Sequence, residues 1–367
     1  MPNMTTEQSL ERVRNKLEKC FKDGDYYHAH QMYRTIYFRL TRQSKWTQCS
    51  QLMFEGAQRL LSKGELNSGA DLASLFVEVL NKGRVPAKST ELERLAKLHA
   101  MMKADSPERM AFTVQCIEYS SKMGDSNPLL PTSSSSERVR SEGVSESSSD
   151  TSISSRGSLF SSSSSGLKKK SSFGHPELHQ LLALNFWREK NFPDARYHFI
   201  HSTDGSNCAR MLVEFHTSRG YRSEVDLFIA QAVLQFLCLR NERTATVAFL
   251  VYTRGHPEVQ SPPPFALPLL NFLWFLLLAV ENRAKLAIFT LLCDKYRTSL
   301  DRDPTYRLYL EKIGQIFFGK QPASESEQSG LFGGGFLGSM LNQLMAGINE
   351  EFDDDDEFNS ISTEDVD

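Results

Sequence analysis

Residues 22–29, with the sequence KDGDYYHA, decide the fold. Gly24 is typical of the left-handed residue that ends a helix, and Asp25 can cap the helix that follows. The next helix then places Tyr26 and Ala29 one turn apart, an aromatic knob beside a small hole. Paired helices of a tetratricopeptide-like solenoid seat against each other in this way, so this stretch predicts an α-solenoid.

Degenerate copies of this linker occur further along the chain. They lie at 62–69 (SKGELNSG), 189–195 (EKNFPDA) and, more weakly, 218–221 (SRGY). Gly or Asn in these copies is again typical of a left-handed helix end. The copies are too degenerate to define a repeat type, but they favour the same architecture.

Apolar residues between the linkers follow helical spacing. One run falls at positions i, i+3, i+4 and i+7 without a miss: Ala29, Met32, Tyr33, Ile36, Tyr37 and Leu40. No segment alternates apolar and polar residues over a strand's length, so strands are not the building unit. The sequence therefore predicts an all-α fold of antiparallel helix pairs.

Composition divides the chain into four parts. Helical repeats are predicted at 7–128 and at 174–320. The serine-rich stretch 129–173 has almost no apolar residues and is predicted to be a disordered insert. A flexible Gly/Ser-rich and acidic tail is predicted at 321–367. It contains a short amphipathic run with these apolar residues: Phe336, Leu337, Leu341, Leu344 and Met345.

Two neighbouring stretches in the C-terminal half leave alternatives open. The Pro-rich segment at 253–265 is typical of a loop or of a short β-hairpin that projects from the solenoid. The apolar stretch Phe265–Val280 has 16 residues, fewer than the usual membrane span of about 20. It also contains Pro268 and Asn271. A buried core helix is favoured, and a membrane anchor is the alternative.

Recognisable catalytic chemistry is lacking. The net charge of −3 gives no basic field for nucleic acid, and six scattered cysteines indicate free thiols in the cytosol. Gly314–Gln321 has the GxxxxGK spacing, but Gln321 replaces the Ser or Thr of a phosphate loop. The pairs His175/His179 and His198/His201 have no evident third metal ligand. We therefore expect no enzyme, no cofactor and no metal.

The first helices carry polar residues off the apolar face. These are Tyr26, Tyr27, His30, Arg34, Arg39 and Arg42, with Asp71 further on. By themselves they are typical of solvated helix surface.

Several long runs resemble a specific family. Residues 24–35 (GDYYHAHQMYRT), 175–184 (HPELHQLLAL), 218–226 (SRGYRSEVD) and 230–239 (AQAVLQFLCL) are similar to the Golgi-to-ER traffic protein 4 family. The similarity covers nearly all of the chain outside 129–173 and the terminal tail. The serine-rich insert departs from the family pattern, and the resemblance implies no function for it.

The resemblance implies a cytosolic scaffold that helps to deliver tail-anchored membrane proteins to the endoplasmic reticulum. Its N-terminal helices would dock the nucleotide-bound targeting ATPase. Its C-terminal half would hold a BAG-domain holdase scaffold or a ubiquitin-like protein. The implied ATPase-facing residues are Tyr26, Tyr27, His30, Arg34, Arg39 and Asp71. The implied C-terminal partner-binding residues are His256, Pro257, Pro263, Pro264 and Phe265.

Two other classes of function stay open at this point. One is a helical-repeat subunit of another large assembly, such as a proteasome-lid-like complex. The other is a membrane-anchored protein that uses 265–280. Neither a nucleic-acid partner nor stable membrane insertion is expected.

Overall fold

A computed structural model describes residues 4–123, 173–260 and 262–321, with side chains placed from residue 11 onward. These ranges contain fifteen α-helices, one 3-10 turn at Arg222–Glu224 and no β-strand. The helices are α1 (Met4–Asp23), α2 (Tyr26–Arg42), α3 (Trp46–Ser62), α4 (Leu66–Lys82), α5 (Ser89–Met101), α6 (Pro107–Met123), α7 (Pro176–Arg188), α8 (Phe192–Ile200), α9 (Gly205–Arg219), α10 (Val225–Cys238), α11 (Glu242–Gly255), α12 (Pro268–Glu281), α13 (Leu286–Lys295), α14 (Arg297–Leu300) and α15 (Thr305–Phe318). Almost all of the predicted insert at 129–173, and nearly the whole predicted tail, lie outside the described residues.

The helices stack in sequence order. In the N-terminal part, α2 packs against α3 and α4, α3 also packs against α5, and α4 packs against α6. The pattern continues from α7 through α8 and α9 to α11. A helix that contacts the next helix and the one after it belongs to a solenoid. The predicted all-α solenoid is confirmed.

Seven linkers end a helix with the same backbone hydrogen bond. The residue after a left-handed residue donates its N–H to the carbonyl five residues earlier, as in a Schellman motif. The donor–acceptor distances are between 2.8 and 3.1 Å. The left-handed residues are Gly24, Ser44, Gly64, Arg84, Lys190, Arg240 and Arg283.

The predicted linkers agree with this geometry in part. Gly24 and Gly64 are left-handed, as expected, and Asp25 caps α2 by accepting a hydrogen bond from the His28 N–H at 3.0 Å. In the third copy, however, Lys190 is the left-handed residue and Asn191 is the cap of α8. The prediction for the fourth copy is wrong, because Gly220 has a φ of −87°.

The small residues after the linkers allow helices to approach closely. Ala29 and Ala195 are fully buried. Gly69 replaces alanine in the second copy because a Cβ atom there would lie 2.6 Å from Cγ of Leu61. The aromatic partner in the third copy, Phe192, stacks on Phe215 with the ring centroids 4.8 Å apart. The interpretation of these linkers as knob-and-hole contacts is confirmed at these positions.

The helices on either side of residues 124–172 form one continuous stack. α5 packs against α7, and Asn185 donates its side-chain N–H to the carbonyl of Ala96 at 2.8 Å. Arg109, only 2% exposed, forms two hydrogen bonds with the Glu189 carboxylate at 2.7 and 2.5 Å. Its guanidinium also lies over the ring of Phe186, 5.0 Å from the centroid. We call this contact the joint between the N-terminal helices, α1–α6, and the C-terminal helices, α7–α15.

Two strongly apolar helices fill the C-terminal core. Eleven residues of α10 are buried, and this helix packs against α9, α11, α12 and α15. α12 has 14 residues, of which eight are buried. The expectation that Phe265–Val280 forms a buried core helix is thus confirmed from Pro268 onward. Within the described ranges, no helix combines the length and the apolar character that a membrane crossing requires.

The Pro-rich segment after α11 is a loop. The described residues 256–260 and 262–267 contain no strand, so the β-hairpin alternative is wrong. Prolines at 257, 262, 263 and 264 lack the N–H group that a strand ladder needs. The peptide bond between Pro263 and Pro264 is cis.

Candidate functional site

An exposed aromatic and cationic stripe runs along α2. Tyr27, Arg34 and Phe38 are separated by seven and four residues, and they therefore lie along one side of the helix. Tyr27 is 75% exposed and Phe38 is 52% exposed, while Arg34 is half-buried. We call these three residues, together with His30 of α2 and Asp71 of α4, the α2 surface.

Asp71 organises the polar centre of the α2 surface. Its carboxylate hydrogen-bonds to Nε2 of His30 at 2.7 Å. It also accepts two hydrogen bonds from Nη1 of Arg34, at 2.9 and 3.0 Å. Asp71 and Arg34 are both partly exposed, and such an ion pair contributes about 0–1 kcal/mol to stability. Its main effect is to hold Arg34 in one orientation beside Tyr27.

Arg34 retains donors for a further ligand. Both of its hydrogen bonds to Asp71 come from Nη1. Within the described part of the chain, Nη2 and Nε have no acceptor. A guanidinium can bind a carboxylate through two parallel N–H groups. The α2 surface can therefore bind an acidic partner residue at Arg34, with aromatic contact area on either side along the helix.

The other two predicted ATPase-facing residues lie apart from this cluster. Tyr26 is half-buried, with its ring centroid 5.9 Å from that of Phe21, so it packs α2 against α1. Arg39 is exposed and lies about 120° around the helix from Tyr27. The structure thus brings His30, Arg34 and Asp71 together, with Tyr27 beside them.

Phe38 was missed by the sequence prediction. It follows Tyr37, which is buried, and it does not share the helical face of the buried residues of α2. An aromatic residue off the apolar stripe of an amphipathic helix is the signal that identifies it.

The predicted C-terminal site is a loop held at both ends by buried residues. At its start, Nε2 of His256 hydrogen-bonds to Nδ1 of His216 at 2.9 Å, and Nδ1 of His256 accepts the Glu258 N–H at 3.1 Å. At its end, the Asn271 side chain exchanges two hydrogen bonds with the Phe265 backbone, at 2.8 and 2.7 Å.

The five predicted residues therefore differ in exposure. His256 and Phe265 are buried, and the Phe265 ring packs edge-on against Phe249 with the centroids 5.8 Å apart. Pro257 and Pro264 are exposed and Pro263 is half-buried. The prolines supply the surface of this loop, and the two buried residues fix its shape from beneath.

His179 and His198, like most of the cysteines, are buried packing residues. His179 is buried, with its Nδ1 2.9 Å from Nδ1 of His198, and burial lowers the pKa of His179 to about 3. The described residues contain no group of three or more His, Cys, Asp or Glu side chains that could hold a metal ion. All six cysteines are free thiols, four of them buried, as expected.

The GxxxxGK spacing falls at the end of a helix. Gly314 lies inside α15, and Gly319 is the left-handed residue that ends it, with a φ of 69°. A phosphate loop instead precedes a helix and presents N–H groups at its start. This segment does not have that geometry.

A solenoid of stacked helix pairs is the architecture of a helical scaffold-type protein. Residues 43–131 and 146–345 match the sequence model of the family described as "Golgi to ER traffic protein 4". The chain belongs to this family.

Relatives support the assignment along nearly the whole chain. The Golgi to ER traffic protein 4 homolog of Homo sapiens is 45% identical over 342 residues, which cover 93% of this chain and 89% of the relative. The homolog of Oryzias latipes is 46% identical over 344 residues, which cover 94% and 90%.

A solved structure agrees on the fold. The crystal structure of C. therm. Get4 superposes with a TM-score of 0.69 at 24% identity, covering 89% of this chain and 96% of that chain.

Proposed function

We propose that this chain is a non-enzymatic cytosolic scaffold in the post-translational delivery of tail-anchored membrane proteins to the endoplasmic reticulum. The α2 surface binds the targeting ATPase in its nucleotide-bound form. The loop at 256–265 and the start of α12 contribute to a C-terminal site for a BAG-domain holdase scaffold or a ubiquitin-like protein. Membership of the Golgi to ER traffic protein 4 family supports the pathway.

One observation supports the placement of the ATPase site. The Asp71 carboxylate orients Arg34 between two exposed aromatic side chains, Tyr27 and Phe38. Tyr and Arg are enriched among the residues that dominate binding energy at protein interfaces. Because Arg34 is already oriented, less side-chain freedom is lost when a partner carboxylate binds.

The mechanism needs no bond chemistry. A scaffold that holds two partners turns their encounter into an intramolecular event, with an effective concentration of about millimolar for short connections. Here the joint packs the N-terminal and C-terminal helices into one stack. The spacing between the two sites is then set by helix packing, and the holdase is presented near the ATPase.

The test of the ATPase site is the double variant Arg34→Glu with Arg39→Glu. We expect nucleotide-bound ATPase to bind at least about tenfold more weakly in calorimetry, because two cations become like charges to an acidic partner. The matched control is Arg243→Glu with Arg254→Glu, which changes the same charge at exposed positions of α11. Equal affinity of the two double variants would remove the α2 surface from the proposal.

Affinity purification of the full chain tests the pathway itself. The proposal predicts recovery of the targeting ATPase together with a BAG-domain or ubiquitin-like protein, and the partner recovered decides which type is used. Consistent recovery of subunits of another large assembly, without the ATPase, would overturn the proposal.

A further inference from the structure

α13 presents an apolar face to solvent. Ile288 is 53% exposed and Leu291 is 56% exposed, and the neighbouring Leu286 is also exposed. Phe289 is the one buried residue of this helix. Isolated exposed apolar residues are ordinary, but several on one face of a short helix indicate a surface that another segment covers. We call Leu286, Ala287, Ile288 and Leu291 the α13 face.

Basic residues flank the α13 face at both ends. Arg283 and Lys285 precede α13, and Lys295 and Arg297 follow it, all of them exposed. Residues 281–297 contain four basic residues against two acidic ones, Glu281 and Asp294. An apolar segment followed by an acidic stretch complements this arrangement. Because basic residues lie at both ends of the α13 face, the segment can bind in either chain orientation.

The chain itself contains such a segment. Residues 336–348 (FLGSMLNQLMAGI) carry apolar side chains at a spacing that places them along one helical face: Phe336, Leu337, Met340, Leu341, Leu344, Met345 and Ile348. No charged residue occurs between 331 and 349, and residues 350–357 (EEFDDDDE) follow directly. This segment lies outside the described residues.

The described chain stops beside α13. α15 packs against α13, and the rings of Phe289 and Phe318 stack with their centroids 4.5 Å apart. The last described residue, Gln321, follows Phe318 by three positions. Fourteen residues lie between 321 and 336, and this connection reaches at most about 50 Å when extended. A helix is about 10 Å across, so this length is ample to pass around α13 to its exposed side.

We propose that residues 336–348 bind as an amphipathic helix to the α13 face of the same chain, with residues 350–357 beside the flanking basic residues. Tethering favours this occupant over a second copy, because a short flexible connection gives an effective concentration of about millimolar. The inference is independent of the proposed function, since it concerns contacts within one chain.

Hydrogen exchange of the full chain, measured by mass spectrometry, tests the contact. We assume that the segment binds the α13 face with a dissociation constant of about 100 µM, about tenfold below its effective concentration. The amides of 336–348 should then exchange about tenfold more slowly in the unchanged chain than in the variant Ile288→Arg/Leu291→Arg. Both substituted residues are exposed, so the helical stack is retained. The control Thr217→Arg/Ser218→Arg adds the same two charges at exposed polar positions of α9, away from the α13 face, and should exchange like the unchanged chain. Identical exchange in all three proteins would overturn the proposal.

A second measurement reads the contact from the other side and leaves the helical stack unchanged. A benzoylphenylalanine photocrosslinker in place of Ile288 should react with 336–348 and give a product of monomer size. The reaction should be lost in Leu341→Arg/Leu344→Arg. A product of dimer size would overturn the intramolecular contact in favour of a second copy. Slow exchange of 336–348 only after addition of phosphatidylcholine vesicles would overturn it in favour of a membrane surface.

Discussion

The N-terminal and C-terminal helices end in the same backbone hydrogen bond, but they differ in the side chains that they bury. The Schellman hydrogen bond ends α1, α2, α3 and α4, and it also ends α7, α10 and α12. Between these linkers, however, the N-terminal part presents a partly exposed carboxylate with its histidine and arginine partners.

The N-terminal part buries two histidines, His30 and His99, whereas the C-terminal part buries five histidines together with two strongly apolar helices. The five are His179, His198, His201, His216 and His256. The comparison teaches that linker geometry specifies the stack, while the residues between linkers decide what each part exposes and how it responds to its surroundings.

The largest expected effect distinguishes two glycines, one in each part. In Gly205→Ala, the new Cβ atom would lie 2.4 Å from the backbone oxygen of Thr244, which cannot move without shifting α11. In Gly56→Ala it would meet the side chains of Tyr33 and Leu72, at 2.8 and 2.9 Å. We expect a loss of about 3 kcal/mol in the free energy of unfolding for Gly205→Ala and about 1 kcal/mol for Gly56→Ala.

Urea unfolding of the two variants measures this difference. Equal losses in the two variants would show that the backbone approach of α9 to α11 is no tighter than a side-chain contact.

The next effect is a loss of stability in acid that starts in the C-terminal helices. Burial lowers the pKa of His99 in α5 to about 3. In the C-terminal helices it lowers the pKa of four histidines: that of His179 to about 3, and also those of His198, His201 and His256. These groups bind fewer protons when folded than when unfolded, where the pKa is about 6.5. Their contribution is therefore present above pH 6.5 and is lost as the pH falls from 6.5 toward 3. At pH 5, the lowered pKa of His179 alone reduces the free energy of unfolding by about 2 kcal/mol relative to neutral pH.

Single-tryptophan variants locate this loss. Retaining only Trp46 reports on α3, and retaining only Trp274 reports on α12. Urea unfolding at pH 7.5 and pH 5 should show the larger drop in midpoint at Trp274. A larger drop at Trp46 would contradict the account of the buried histidines.

A smaller effect compares two arginine contacts of the same composition. Arg109 pairs with Glu189 and lies over Phe186, and it is almost fully buried. Arg59 pairs with Glu18 at 2.6 Å and lies over Phe21, with both charged side chains partly exposed. We expect Arg109→Met to lower the free energy of unfolding by about 2 kcal/mol and Arg59→Met by under about 1 kcal/mol.

Thermal unfolding of these two variants provides the measurement. A cost for Arg59→Met as large as that for Arg109→Met would show that burial at the joint adds nothing to the contact.

The fold was predictable from the sequence where glycine marks the linkers. Gly24 and Gly64 carry the left-handed conformation that their type favours. The same conformation at Ser44, Arg84 and Lys190 could not be predicted, because these residue types rarely adopt a positive φ and tertiary packing imposes it here. Of the two alternatives for the Pro-rich segment, the β-hairpin fails because its prolines lack the N–H group that a strand ladder needs.

The candidate site was predictable only in part. The resemblance supplied His30, Arg34 and Asp71 as separate residues. Their contact joins positions 37 and 41 residues apart, and it exists because α2 packs against α4. Helical periodicity of α2 alone would have identified Phe38, whereas the burial of His256 and Phe265 depends on contacts with other helices.

The central claim is that the α2 surface, and not the C-terminal helices, binds the targeting ATPase. The most direct test places a benzoylphenylalanine photocrosslinker at Phe38 of α2 or at Val247 of α11, both exposed, in the presence of nucleotide-bound ATPase. The account predicts a crosslinked product from position 38 and none from position 247. A product from position 247 without one from position 38 would contradict it.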